Sequence, residues 1–403
     1  MSSLPTLRIA VRRFEPFERS LREQFEDFCR VTGVEARLEL EVMDLNPLEQ
    51  AYFEDDRLRD GSLDLAMVVT DWLAACVERE VLRDLHSLHA DDPLPDHPGG
   101  WSESLTRPQT LGGGWWGLPY HDGPMCLILR KDLLEAQGLE APATWGEFLE
   151  TARRLTDPEA EVYGTAVAAF ADGHNTFYDF CQHVWSRGGD LIDGGVPRLD
   201  QPAAAEGLAY YRDLVRDGSA CRPGAREIDS VAAGELFMQG KVAMMANWFG
   251  FASACETSGE SRVAGRVALA PLPGGDGPGA AAGVSLNVYW VMGIARGSRQ
   301  PELAWRFLRH LVSGPMDRLL TLNGAVGCRR STWQDAQVNA QIPFFRDLPR
   351  LHEHARVLPM HTRLPTLARI IESAVVASVD TQDPVSQILA DAQRQAERAW
   401  GRG

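Results

Sequence analysis

The order of apolar and polar residues from the N-terminus to Val69 predicts alternating strands and helices. Leu7–Val11 is a short apolar run typical of a strand, and Leu63–Val69 is continuously apolar, which is typical of a central parallel strand. Between them, Ser20–Val31 has apolar side chains at helical spacing, and Gly33 predicts the end of that helix. Ala36–Val42 alternates apolar and charged residues, as a half-buried strand does. This succession favours an α/β fold.

Later helices have recognisable start and stop signals. Residues 144–147 read Thr-Trp-Gly-Glu, which is the pattern of a capping box, and Pro301–Val312 has proline in its first turn. A helix that begins near Asn175 is predicted to end at the glycine pair 188–189. Pro271–Gly283 is rich in glycine, proline and alanine and predicts a flexible loop. Alternating strands and helices imply parallel sheets flanked by helices.

Length and charge limit the class of protein. A chain of 403 residues exceeds the usual size of one hydrophobic core and therefore predicts two domains. The net charge of −16 argues against a nucleic-acid partner, which requires a basic face. No apolar stretch approaches the roughly 20 residues that span a bilayer.

Cysteine usage and the N-terminus bear on the cellular compartment. The seven cysteines are scattered, odd in number and without a Cys-x-x-Cys pair, so we expect buried thiols rather than disulfides or a zinc site. The segment MSSLPTLRIAVRRFEPF lacks the apolar core and cleavage site of a secretory signal. Two interpretations stay open: a trimmed leader replaced by a start methionine, or a naturally leaderless cytoplasmic protein, which the cysteines favour mildly.

Motifs of catalysis and metal binding are incomplete. Gly112–Gly114 is not followed by the Lys-Ser/Thr of a phosphate loop, and Gly283–Asn287 departs from a nucleophile elbow at its last residue. His352 and His354 lack the i, i+4 spacing that places two imidazoles on one helix face. We therefore expect no enzymatic activity.

Segments spread over most of the chain carry one family pattern. Gly117–Glu135, GLPYHDGPMCLILRKDLLE, precedes a capped helix at Thr144–Thr156, and Phe237–Trp248 reads FMQGKVAMMANW. The further segments are Ala270–Asn287 with Pro-Leu-Pro-Gly-Gly and Gly-Val-Ser, the helix Gly297–Ser313, Gly324–Ser331, and Pro384–Gln393. In this order they resemble bacterial extracellular solute-binding proteins of the sugar-binding group (family 1, maltose-binding-like). Gly327 stands where that family usually has proline.

The resemblance implies a particular fold. It is a periplasmic-binding-protein-like α/β fold of type II, with two lobes, a ligand cleft and three crossings between the lobes. On this basis lobe one holds residues 1–123 and 270–323, and lobe two holds residues 124–269 and 324–403. The crossings are expected near residues 122–126, 268–272 and 322–328.

The resemblance also implies a function. The protein is expected to be the substrate-binding component of an ABC importer, and to bind a mono- or oligosaccharide or a glycoside by hinge closure. Its expected partners are that sugar and the membrane permease, and it is expected to act as a monomer in the periplasm or another extracytoplasmic space, without metal or organic cofactor. Three alternatives stay open: an enzyme on the same scaffold, a leaderless cytosolic sensor, and iron binding through Tyr210 and Tyr211, since adjacent tyrosines bind iron in ferric-binding relatives.

The candidate site residues follow from the chemistry of sugars. A sugar ring has an apolar C–H face that stacks on tryptophan or tyrosine, and a rim of hydroxyls that needs hydrogen-bond donors and acceptors. Trp248 with Asn247 fits best, because it ends an apolar strand and matches the family's pocket tryptophan. The candidate ligand-binding residues are Asp71, Trp72, Tyr120, Asp122, His174, Asn175, Tyr178, Asn247, Trp248, Ser285, Asn287 and Arg329.

Several candidates also have a purely structural interpretation. Trp248 can be a core tryptophan, and Tyr120 a packing residue. Asp122 can be a turn residue, and Asp71 and Asn175 can be helix caps. For Asp71 and Trp72 the functional interpretation rests on their place after Leu63–Val69, because ligands bind at the carboxyl ends of strands in open α/β sheets.

Overall fold

The computed structural model describes residues 4–277, 280–281 and 283–401. The predicted loop Pro271–Gly283 therefore lies in part outside the described residues. The strands are β1 (Thr6–Arg12), β2 (Arg37–Met43), β3 (Leu65–Val69), β4 (Thr110–Leu111), β5 (Gly114–Trp115), β6 (Leu118–His121), β7 (Met125–Arg130), β8 (Tyr163–Thr165), β9 (Ile192–Asp193), β10 (Val196–Pro197), β11 (Val242–Trp248), β12 (Val267–Ala270), β13 (Ser285–Leu286), β14 (Trp290–Ile294) and β15 (Ala355–Arg356).

Helices fill most of the intervals between these strands. The α-helices are α1 (Glu15–Thr32), α2 (Leu45–Phe53), α3 (Leu73–Glu78), α4 (His86–Asp91), α5 (Glu103–Thr106), α6 (Lys131–Ala136), α7 (Trp145–Leu155), α8 (Asn175–Trp185), α9 (Pro202–Arg216), α10 (Ser230–Met238), α11 (Phe249–Thr257), α12 (Pro301–Leu311), α13 (Gly314–Leu322), α14 (Arg330–Trp333), α15 (Ala336–Gln341), α16 (Leu348–Glu353), α17 (Leu364–Asp380) and α18 (Val385–Trp400).

The chain divides into two compact units, and each is discontinuous in sequence. Unit 1 holds the described residues up to Gly123, Val288–Pro349 and Met360–Thr362. Unit 2 holds Pro124–Asn287, Arg350–Pro359 and the residues from Arg363 onward.

These units differ from the predicted lobes after the first crossing. The segment that follows Ala270 lies with unit 2 as far as Asn287, since the amide of Gly274 donates to the Ala143 carbonyl at 2.8 Å and the amide of Gly275 donates to the Ser186 carbonyl at 3.0 Å. The chain then enters unit 1 at Val288. The segment from Gly324 to Pro349 lies with unit 1, where the Asp122 amide donates to the Val326 carbonyl at 2.8 Å. The glycine, proline and alanine content of Pro271–Gly283 predicted a loop, but composition does not indicate which unit a loop packs against.

Unit 1 is built on a five-stranded sheet in the order β2-β1-β3-β14-β6. The strands β1, β2 and β3 pair in parallel, and β3 is central and fully buried, as its apolar run predicted. The expectation of a wholly parallel sheet is wrong, because β14 runs antiparallel to both β3 and β6. β14 starts at Trp290, opposite Val69 at the end of β3, and runs back to Ile294, opposite Leu65 at the start of β3.

Unit 2 contains a four-stranded sheet in the order β12-β7-β11-β8. Here too the sheet is mixed, since β7 is antiparallel to β11 and β12 while β11 and β8 are parallel. The helices α8, α9 and α17 pack on one another beside it. The predicted capping box of α7 is confirmed, with the Thr144 hydroxyl accepting the Glu147 amide and the Glu147 carboxylate accepting the Thr144 amide.

The first helix shows how local signals set its ends. α1 begins at Glu15, earlier than the predicted Ser20, because Pro16 suits a first helical turn and Glu15 and Glu18 complement the positive end of the helix dipole. It ends at Gly33, whose φ of 68° is the left-handed conformation that glycine adopts without strain.

Three chain-wide features bear on the class of protein. All seven cysteines are free thiols, and all but Cys29 are buried, as expected from their spacing. Within the described residues, no helix is both long and apolar enough to cross a membrane. The same residues contain no group of three or more His, Cys, Asp or Glu side chains arranged to hold a metal ion.

A buried carboxylate anchors the turn that carries Arg329. Asp317 of α13 is 3% exposed, and its two oxygens accept the amides of Cys328 (2.8 Å) and Arg329 (3.1 Å). A Cβ on Gly327 would lie 2.4 Å from the Asp317 carboxylate, so a side chain at this position would displace the carboxylate that holds the turn.

We predict that Asp317→Ala lowers the free energy of unfolding by about 3 kcal/mol, because two buried amides lose their acceptor. Asp317→Asn keeps one acceptor oxygen and should fall between the alanine variant and the wild type. Urea unfolding followed by circular dichroism measures both variants. An alanine variant with the wild-type midpoint would show that this carboxylate does not hold the turn.

Candidate functional site

Aromatic residues gather at one edge of the unit 1 sheet. β1 and β3 end there, β6 ends there at His121, and β14 begins there, since Trp290 is opposite both Val69 and His121 in the strand register. Trp72 follows β3 in a 3-10 turn, Thr70–Trp72. This edge is the part of a sheet where ligands bind in open α/β folds.

Trp72 lies in an aromatic cluster and is only 4% exposed. Its ring meets Tyr52, Phe53 and Trp290 edge to face, with centroids 6.3, 6.0 and 6.4 Å away. Trp290 is partly exposed, and so is Asp71, which precedes Trp72 in the sequence. Trp290 is not among the candidates predicted from the sequence, because it lies in the apolar run Val288–Ala295, which by itself indicates only a strand.

The other unit 1 candidates are deeply buried. The Tyr120 hydroxyl donates to Oε1 of Gln24 at 3.1 Å, and Asp122 is 1% exposed. The guanidinium of Arg329 lies over the Trp101 ring at 3.8 Å, and its Nε donates to the Val312 carbonyl at 2.8 Å. These contacts support structural roles, and ligand contact by the three candidates stays a prediction.

Unit 2 brings together three of the predicted aromatic residues. Trp248 ends β11 and precedes α11, and its ring meets that of Tyr178 edge to face at 5.7 Å. His174 lies 5.6 Å from Tyr178, between ring centroids. Trp248 is partly exposed, so the cluster is open on one side.

The start of α8 is held by Asp172, which is not among the candidates predicted from the sequence. One carboxylate oxygen accepts the amides of His174 and Asn175, each at 2.9 Å, and the other accepts the Asn175 side-chain amide. An aspartate just ahead of a helix start is the signal that could have found it. Phe170, two residues earlier, is 47% exposed and was also missed.

The remaining candidates lie close to the unit 2 sheet. Asn247 donates to the Ser230 carbonyl at 2.9 Å and accepts the Trp248 amide at 2.8 Å, so it orients the backbone that carries that ring. The Ser285 hydroxyl donates to the Met125 carbonyl. Both polar side-chain atoms of Asn287 are buried without a hydrogen-bond partner in the described part of the chain.

A small pocket of unit 2 is lined in part by polar side chains. It measures about 30 Å³, and its polar lining residues are Thr165, Asp179, Gln182, His183 and Tyr211. Burial, with a smaller contribution from Asp172, raises the pKa of Asp179 to about 8. Tyr211 is 2% exposed and Tyr210 donates to the Trp145 carbonyl at 2.9 Å, so the two hydroxyls do not form a joint metal site.

Comparison with known sequences identifies related proteins. A family profile described as bacterial extracellular solute-binding protein matches residues 51–313. The putative ABC transporter periplasmic-binding protein YcjN of Escherichia coli K12 is 33% identical over 134 residues. That match covers 33% of this chain and 30% of YcjN.

Solved structures match over nearly the whole chain. An ABC transporter solute-binding protein from Agrobacterium radiobacter K84, in complex with ribitol, is 27% identical with a TM-score of 0.88, and 98% of each chain is covered. Maltose-bound MalE3 of T. maritima is 23% identical with a TM-score of 0.87, covering 98% of this chain and 99% of that one. The predicted type II periplasmic-binding-protein-like fold is confirmed.

Proposed function

Because the chain belongs to the family of bacterial extracellular solute-binding proteins, we propose that it is the substrate-binding component of an ABC importer and that it binds a carbohydrate. The family profile, which matches more than half of the chain, is the observation that carries this proposal. The ribitol and maltose complexes of structurally similar proteins support a polyhydroxylated ligand.

The side chains at the two sheet edges suit such a ligand. Trp248 in unit 2 and Trp290 in unit 1 are partly exposed and offer aromatic surface for the C–H face of a sugar ring, and the buried Tyr178 packs against Trp248. The donor and acceptor atoms of the buried Asn287 side chain have no hydrogen-bond partner among the described residues, so they are free to bind hydroxyl groups of a ligand that reaches them.

In this proposal, binding works by population shift. The ligand contacts both lobes only in the closed state and so favours that state, which the membrane permease then recognises. The protein acts as a monomer outside the cytoplasm, releases its ligand chemically unchanged, and has no nucleic-acid partner. The incomplete enzyme motifs and the charge of −16 support these last two points.

A thermal-shift screen tests the proposal. We expect ribitol, maltose or another member of a panel of neutral sugars and polyols to raise the melting temperature by about 5 °C at saturating concentration, since a ligand of the folded state stabilises it. The radius of gyration from solution scattering should fall slightly with the same ligand. Amino acids at equal concentration are the control, and a panel in which no carbohydrate raises the melting temperature would overturn the proposal.

A further inference from the structure

His121 has a fixed tautomer. It ends β6, and its Nδ1 lies 3.0 Å from the Val326 amide nitrogen. A backbone N–H can only donate, so Nδ1 must be the acceptor and the ring proton must lie on Nε2. The backbone therefore sets His121 as a donor at Nε2.

The imidazole also stays neutral over the physiological pH range. Burial lowers the pKa of His121 to about 4, and the neighbouring Asp122 acts in the opposite direction. The Phe14 and Phe17 rings and the Val326 amide, which contact the imidazole, carry no charge.

The donor at Nε2 has no partner in the described chain. The hydrogen bond of His121 to the protein runs through Nδ1, and Nε2 is not among the fully enclosed polar atoms. The residue is partly exposed, whereas its neighbours Tyr120 and Asp122 are each 1% exposed. The strand alternation thus turns His121 to the open side.

An exposed aromatic ring stands beside this donor. Phe14 follows β1 at the same sheet edge and is 41% exposed. Its ring centroid lies 4.9 Å from that of Phe17 and 6.3 Å from that of His121. The pair offers an apolar surface and one hydrogen-bond donor, which is the combination that a sugar ring requires.

We propose that Phe14 and His121 form a contact site for a neutral sugar or polyol, in which Phe14 packs on a C–H face and Nε2 of His121 donates to a hydroxyl oxygen. This inference rests on the proposed carbohydrate function and adds to it the charge class of the ligand. The carboxylate of Asp122 next to His121 disfavours an anionic acceptor such as a sugar acid or a sugar phosphate.

Two substitutions separate the donor from the structural hydrogen bond. His121→Asn keeps an acceptor near Nδ1 for the Val326 amide but has no donor at Nε2, and calorimetry with the panel sugar that stabilises the wild type should show about tenfold weaker binding. His121→Gln can place an amide N–H near Nε2 and should recover most of the affinity. Phe14→Leu should weaken binding several-fold, and wild-type affinity should stay constant from pH 5.5 to 8.

The outcomes distinguish the inference from the function on which it rests. If His121→Asn binds the sugar as tightly as the wild type, or if the matching sugar acid binds more tightly than the neutral sugar, the inference is wrong while the carbohydrate function stands. Nitrogen NMR of the imidazole should show the proton on Nε2 in the ligand-free protein, and a proton on Nδ1 would also overturn it. If no neutral sugar binds the wild type, both the function and the inference fail.

Discussion

Trp248→Ala is expected to weaken carbohydrate binding by about 100-fold or more while the protein keeps its fold. The ring is the partly open member of the cluster with Tyr178, and an aromatic plate of this size contributes about 2–3 kcal/mol when it is covered by a ligand. Calorimetry with the stabilising sugar measures the affinity, and circular dichroism measures the fold.

Trp400→Ala is the matched control, because Trp400 is a tryptophan of the same unit at the end of α18, and its indole N–H donates to the Gly195 carbonyl at 3.1 Å. We expect it to bind the sugar normally. Trp248→Phe keeps an aromatic face and should lose less affinity than the alanine variant. Wild-type affinity in a folded Trp248→Ala protein would show that Trp248 is only a packing residue.

Asp179 is expected to make unit 2 less stable as the pH rises. Its pKa is about 8 in the folded protein against a usual value of 3.8, so the folded state holds a proton that the unfolded state has released. Stability is therefore lost with increasing pH between these two values, by about 1 kcal/mol per pH unit.

The window from pH 6.5 to 7.5 isolates this effect. Burial lowers the pKa of His121 and of His183, so these groups change stability mainly below pH 6.5 and in the opposite direction. Asp179→Asn should remove the dependence, because its amide carries no titrating proton. Asp213→Asn, which removes an exposed carboxylate of α9, should leave it in place.

Chemical unfolding of the wild type and both variants across this window measures the difference in stability. As the pH rises, the free energy of unfolding of the wild type should fall relative to that of Asp179→Asn. A gap that is constant from pH 5 to 8 would mean that Asp179 is already ionised in the folded protein.

Local sequence signals predicted where individual helices and strands form. They did not predict the strand directions or the long-range packing. The capping box of α7 and the apolar run of β3 specify their own conformation, so both were found from the sequence. The antiparallel direction of β14 depends on how the chain returns to unit 1, which no local pattern encodes. The packing of Gly274 and Gly275 on unit 2 depends on distant partners such as Ser186 for the same reason.

The candidate site shows the same division. Trp248 and Tyr178, which are both predicted from the sequence as ligand-binding residues, contact each other. Ligand binding by either residue is still a prediction. His121 was passed over between Tyr120 and Asp122, because its role depends on the Val326 amide far along the chain. Trp290 is also absent from the predicted residues. It lies close to Trp72 only because β3 and β14 pair, and the sequence does not indicate that pairing.

Calorimetry of the wild-type protein, followed by recovery of the sugar, is the most direct test of whether the protein binds a carbohydrate without changing it. We expect saturable binding of one neutral sugar per chain, with a dissociation constant of about 1 μM, and we expect chromatography to recover the sugar intact after prolonged incubation. No saturable binding to any neutral sugar or polyol, or conversion of the sugar to a product, would contradict it.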